Sequence, residues 1–98
     1  MDYNDVYLER PNQATWLAIG EGAGRFFVMV TVDAQTDKES WFVACREHAE
    51  HGTESLTVGG QAGEYPVRQV VGLDAALDAT RRYFNTGERS PSLVWEHT

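Results

Sequence analysis

The run from Arg25 to Asp33, RFFVMVTVD, constrains this chain more than any other segment. In extended backbone, successive side chains alternate sides. Phe26, Val28, Val30 and Val32 therefore share one face, and Phe27, Met29 and Thr31 the other. Both faces are largely apolar. A strand of that kind belongs at the centre of a sheet with cover on each side. A chain of 98 residues has room for one small domain, residues 1–98, so both covers must come from its own remaining segments.

One cover is readable. From Val70 to Trp95, residues Leu73, Ala76, Leu77, Thr80, Tyr83 and Phe84 recur at helical spacing and predict one apolar stripe. Asp74, Asp78, Arg81 and Arg82 fall on the wet side, acids towards the helix start and bases towards its end. Asp78 and Arg82 are four apart with the acid first, the order expected to pair on a helix. Gly87 suits the left-handed position that ends helices, and Pro91 prevents continuation. Leu93 to Trp95 then reads as a closing strand.

The rest of the chain reads as strands. Residues Met1 to Gln13 fit either a short edge strand or a single helical turn, ended by Pro11. Thr15 to Ile19 is a strand joined to the central one through GEGAG, a hairpin with a longer loop. A phosphate-binding reading of GEGAG needs a helix directly after it, and a strand follows instead. Trp41 to Cys45 and Glu54 to Val58 are further strands; Gly59 and Gly60 open a turn running to Gly63. Glu64 to Val71 is extended, with Pro66 marking a strand start or a sheet edge. Strands in succession and one late helix predict an α+β fold. Its sheet is mostly antiparallel, of about five to six strands, in the order β-β-β-β-β-α-β.

Charge separates the two halves. The chain carries a formal net charge of −7. Seven acids (Asp33, Asp37, Glu39, Glu47, Glu50, Glu54, Glu64) against Lys38 and Arg46 place −5 between residues 33 and 64. Between Gly72 and Arg89 three acids and three bases cancel. This balance argues against nucleic-acid binding, which needs Lys and Arg on the phosphates. It suits a basic protein partner, where complementary charge speeds association. Cys45 is the sole cysteine, so an internal disulfide is impossible and a reducing cytoplasm is expected. No apolar run approaches membrane-spanning length, and the acidic start MDYNDVYLER lacks a signal peptide's features.

No motif marks a reaction. In CREHAEH, His48 and His51 lack the partner ligand pair and the spacing of known zinc motifs, and read as a solvated connection. Cys45 ends an apolar strand in an acidic segment, the wrong setting for a nucleophile. No spacing singles out a carboxylate pair among the fifteen acids. Trp16, Trp41 and Trp95 read first as core residues and second as interface anchors. No cofactor is expected. The residues alone leave open a small enzyme, a ligand-binding domain, or a structural domain pairing as a homodimer through a sheet edge.

A family resemblance narrows these. The features are Glu64-Tyr65-Pro66, Val70-Val71 leading into Asp74-Ala-Ala-Leu77, the pair Tyr83-Phe84, Thr86-Gly-Glu-Arg-x-Pro91, and Leu93-Val-Trp-Glu96. Together they resemble immunity protein family one of bacterial polymorphic toxin systems. The first thirteen residues are short for an N-terminal element present in some relatives. The resemblance implies an antitoxin that binds a cognate toxin domain, often a nucleic-acid deaminase and sometimes a nuclease. It implies no catalysis; separately, a monomer or weak homodimer is expected when free. On that reading Asp33, Asp37, Trp41, Glu47, Glu50, Glu54, Glu64 and Tyr65 are the expected toxin contacts. Pro66, Phe84, Gly87, Pro91 and Trp95 belong to the shared motif and are expected to serve the scaffold.

Overall fold

The computed structural model describes residues 5–10, 14–22, 24–46, 52–58 and 61–97. Strands β1 (Asp5–Arg10), β2 (Thr15–Gly22), β3 (Arg25–Val32) and β4 (Ser40–Cys45) are followed by β5 (Thr53–Val58) and β6 (Gln61–Pro66). A 3-10 turn (Val67–Gln69), helix α1 (Leu73–Thr86) and β7 (Val94–His97) complete the chain. The fold is α+β, as expected, with antiparallel pairing throughout.

Five strands form one sheet in the order β1-β2-β3-β4-β7, and β5-β6 is a separate two-stranded sheet. β3 is therefore central. Its even residues Val28 and Val30 are buried with Leu17, Ile19 and Ala44 beneath Ala76, Ala79 and Tyr83 of α1. Each buried Val, Leu or Ile among them contributes on the order of 1.5–3 kcal/mol by leaving water. Its odd face meets β5-β6: Phe27 packs on Tyr65 with ring centroids 4.9 Å apart, and Arg25 pairs with Glu54 at 2.9 Å. The second cover demanded by the two-sided apolar strand is thus a hairpin folded across the sheet.

Several expectations change. Within the N-terminal segment Asp5–Arg10 is a strand, so six strands precede the helix rather than five. β2 runs to Gly22, which pairs with Arg25. The hairpin connection is therefore two residues, with Gly24 at φ 77°, a conformation that favours glycine. Likewise β6 starts at Gln61, before the expected turn ends at Gly63. It stops at Pro66, where the chain turns through the 3-10 segment instead of staying extended. Beyond that turn Val71 exchanges two backbone hydrogen bonds with Phe26, at 2.9 and 2.8 Å. β4 pairs β3 only at Met29–Val32, so Phe26 has a free backbone edge for Val71 to fill.

The helix differs most. Its buried residues are Ala76, Ala79 and Tyr83, whereas Leu73, Leu77 and Phe84 are 54%, 41% and 70% exposed. The apolar positions exceed what one sheet face can cover, and the small alanines let the helix sit closest on their own side. Asp78 does not pair with Arg82. It accepts hydrogen bonds from Ser90 and Ser92, and Arg82 reaches Glu88 at 3.7 Å. Gly87 ends the helix at φ 75°, with its N–H donating to Tyr83 O at 2.7 Å. Trp95 packs against the core and donates from Nε1 to Ser90 O at 2.9 Å. Among the described residues, no helix is long and apolar enough to cross a membrane.

Candidate functional site

The odd face of the five-stranded sheet is only partly covered by the hairpin. Cross-strand register defines the remainder. Glu9 lies opposite Trp16, Trp16 opposite Thr31, and Thr31 opposite Trp41, giving one row across four strands. The next row runs Tyr7, Ala18, Met29, Val43, Glu96. Tyr7 is 54% exposed and Trp41 38%, and the Tyr7 and Trp16 rings lie 5.9 Å apart. These aromatic side chains, open to water in adjacent rows of one face, make it a candidate contact surface.

Beside this patch a cavity of about 550 Å³ is lined by Tyr7, Glu9, Ala14, Thr15, Trp16, Ala34 and Gln35. Its backbone is unusual. Ala14, Asp33 and Gln35 adopt positive φ of 51°, 52° and 65°, the only non-glycine residues described that do so. Side chains other than glycine reach this region at a cost of about 1–3 kcal/mol each, and such residues concentrate at functional surfaces. Here the conformations are held by Ala34 N–H donating to Ala14 O at 2.7 Å and Gln35 N–H donating to Glu39 Oε2 at 2.6 Å. Thr36 Oγ1 donates to Asp33 O at 2.7 Å. The loop from Asp33 to Glu39 is thereby a fixed acidic rim beside the aromatic rows.

The expected contacts therefore divide. Asp33 and Asp37 lie on this exposed loop and Trp41 on the sheet face beside it. Tyr65 and Glu54 are cross-strand partners turned inward on the hairpin, Tyr65 onto Phe27 and Glu54 onto Arg25. Glu64 is exposed on the hairpin's other side and accepts from Ser55 Oγ at 2.7 Å. Glu47 and Glu50 lie outside the described residues, as do His48 and His51. Among the motif residues, Pro66 closes β6, Gly87 caps α1 and Trp95 joins the core, while Pro91 and Phe84 are exposed.

Sequence reasoning missed Tyr7 and Glu9, because it left residues 1–13 undecided between strand and helical turn. Alternation of Tyr7 and Glu9 against Leu8 and Arg10 was the available signal. Cys45 is half-buried, and burial, followed by the Glu96 carboxylate, pushes its thiol above its ordinary range, which disfavours a thiolate. Glu96 itself accepts from Arg68 Nε at 2.7 Å and Gln69 Nε2 at 2.6 Å, and these bonds hold its carboxyl below the usual range. That cluster joins the 3-10 turn to β7 and is structural in its partners.

Fold and surface together define a small α+β domain whose distinctive chemistry is an acidic, aromatic sheet face. The chain belongs to the Imm1 family of immunity proteins, whose sequence model matches residues 2–97, and an immunity protein acts against a toxin. No curated protein matches the chain.

Proposed function

We propose that this chain binds a toxin domain through the exposed end of its main sheet and occludes the toxin's active site, with no reaction of its own. The observation that carries the reading is that Tyr7 on β1 and Trp41 on β4 are exposed in adjacent rows of one face, with Glu9 in the row of Trp41 and the acidic Asp33–Glu39 loop leading into β4. Central aromatics with a charged border are the usual division of labour at tight interfaces. The aromatics supply most of the energy and the charges supply rate and orientation. Acids in this number suit a toxin with a basic cleft, and the reading takes that toxin to be an enzyme acting on nucleic acid, a deaminase or a nuclease. The acids take the place of phosphates in the cleft. The protein acts in the cytoplasm, where its target would attack. A standard interface of this kind buries on the order of 1,600 Å² in total.

The test is co-expression with the toxin encoded beside it, followed by binding measurements on the purified pair. Trp41→Ala and Tyr7→Ala are expected to abolish protection while the circular dichroism spectrum stays native. Full protection by the double variant would remove the sheet face from the interface.

A further inference from the structure

α1 carries an apolar surface that the fold leaves unused. Leu73, Leu77 and Phe84 follow one another at four and seven residues, so they line one flank of the helix. The core is contacted from a different side, by Ala76, Ala79 and Tyr83. Three large side chains of this exposure expose on the order of 300 Å², the lower end of the range for the largest apolar patch on a monomer, a patch that is often functional. Arg10 Nη1 donates to Phe84 O at 2.9 Å, so the helix end is tied to the edge strand and the patch is held in place.

The charges bordering the patch select its occupant. Asp78 is engaged by Ser90 and Ser92, and Arg82 by Glu88. Asp74 and Arg81 are exposed, two turns apart on one border of the stripe, and form no ion pair among the described residues. One acid and one base give this border no net charge, so it offers nothing to a strongly basic toxin. It is instead complementary to itself when reversed. In a parallel two-fold pair this border of one helix meets the opposite border of the other, so Asp74 and Arg81 do not face each other; an antiparallel copy sets Asp74 of each chain against Arg81 of the other, and brings Leu73 of one near Phe84 of the other.

We propose that the Leu73–Leu77–Phe84 flank of α1 docks on the same flank of a second copy of this chain, as an antiparallel two-fold helix pair. An interface made of one patch paired with itself is the usual geometry of homodimers. Two patches of this size fall short of the ~1,200 Å² of stable complexes, so the dimer is weak and concentration-dependent. The helix and the hairpin lie on opposite faces of the main sheet, so pairing through α1 leaves the Tyr7–Trp41 face of both copies open. The inference is independent of what that face binds.

Sedimentation velocity on the full chain, from about 5 μM to about 1 mM, spans the range in which such an interface dissociates. The wild type is expected to pass from monomer to dimer. Leu77→Lys with Phe84→Lys is expected to stay monomeric at every concentration while keeping the native helical circular dichroism, since Phe84 is 70% and Leu77 41% exposed and bases suit the end of the helix. Asp74→Arg alone is expected to weaken the dimer about tenfold, and adding Arg81→Asp to restore it, because two exposed ion pairs per dimer change sign together. A wild type that stays monomeric throughout, or a dimer indifferent to these changes, overturns the proposal. So does loss of toxin binding by the Leu77→Lys, Phe84→Lys variant with a monomeric wild type, which gives the patch to the toxin.

Discussion

The Asp78 carboxylate accepts a hydrogen bond from Ser90 Oγ at 2.7 Å, across twelve residues of chain, and Ser92 Oγ donates to the same oxygen. Ser90 is buried, and its carbonyl in turn receives the Trp95 indole N–H. Asp78 thus fixes the loop that carries the chain from α1 to β7, a role that spacing on the helix alone assigned to a pair with Arg82.

This role has a pH signature. The bonds from Ser92 and Ser90 hold Asp78 below its ordinary 3.8, and those from Arg68 and Gln69 hold Glu96 below its ordinary 4.5. A carboxylate with a depressed folded pKa stabilises the fold fully above its unfolded pKa, and that stability is lost as pH falls through the folded one. Urea denaturation is therefore expected to show falling stability from about pH 4.5 downwards. Asp78→Asn with Glu96→Gln is expected to be less stable at pH 7 and to lose less on acidification. Parallel curves for both proteins would contradict these bonds.

Tyr83 predicts the opposite sign. Its side chain is 1% exposed, and its hydroxyl makes no well-formed hydrogen bond among the described residues, with Thr15 its nearest polar neighbour. Burial raises its pKa, so the group stays neutral. An unpaired buried hydroxyl costs free energy that a phenylalanine avoids. Tyr83→Phe is expected to leave stability unchanged or raise it by about 1 kcal/mol. Tyr83→Ala, which opens a cavity between α1 and β2, is expected to lose about 3–5 kcal/mol. Chemical denaturation compares the two.

Gly87 sits at φ 75° with its N–H closing the last turn of α1. A Cβ in that conformation costs about 1–2 kcal/mol. Gly87→Ala is expected to lower stability by that amount, without change in the isolated hairpin region read by Tyr65 or Phe27 packing. Thermal melts followed by helical circular dichroism check it.

The toxin complex separates the two kinds of contact kinetically. Reversing Glu9, Asp33 and Asp37 to Lys is expected to slow association tenfold or more at low salt, with the difference shrinking as salt screens it. Trp41→Ala is expected to act on dissociation instead. Stopped-flow association against the neighbouring toxin measures both. An association rate unmoved by the triple reversal, at any salt, would place the acids outside the encounter surface.

The sequence by itself determined the class of fold. The run through Phe26–Val32 demanded cover on both faces, and Gly87 and Pro91 set where the helix ends. These are local signals, because backbone conformation and side-chain alternation act over a few residues. Only the tertiary structure decided which cover went where. That β5-β6 leaves the main sheet and folds over Phe27 depends on contacts between residues far apart in the chain. The same holds for α1: its periodicity offered Leu73, Leu77 and Phe84 along with Ala76 and Tyr83, and passed over Ala79, which is buried. The small side chains allowed close approach to β2 and β3, and that choice left three large ones in water. The candidate surface was legible in part, at Asp33, Asp37 and Trp41. Tyr7 and Glu9 joined it only through the β1–β2 register, since pairing between strands, rather than pattern within one, sets which side chains share a face.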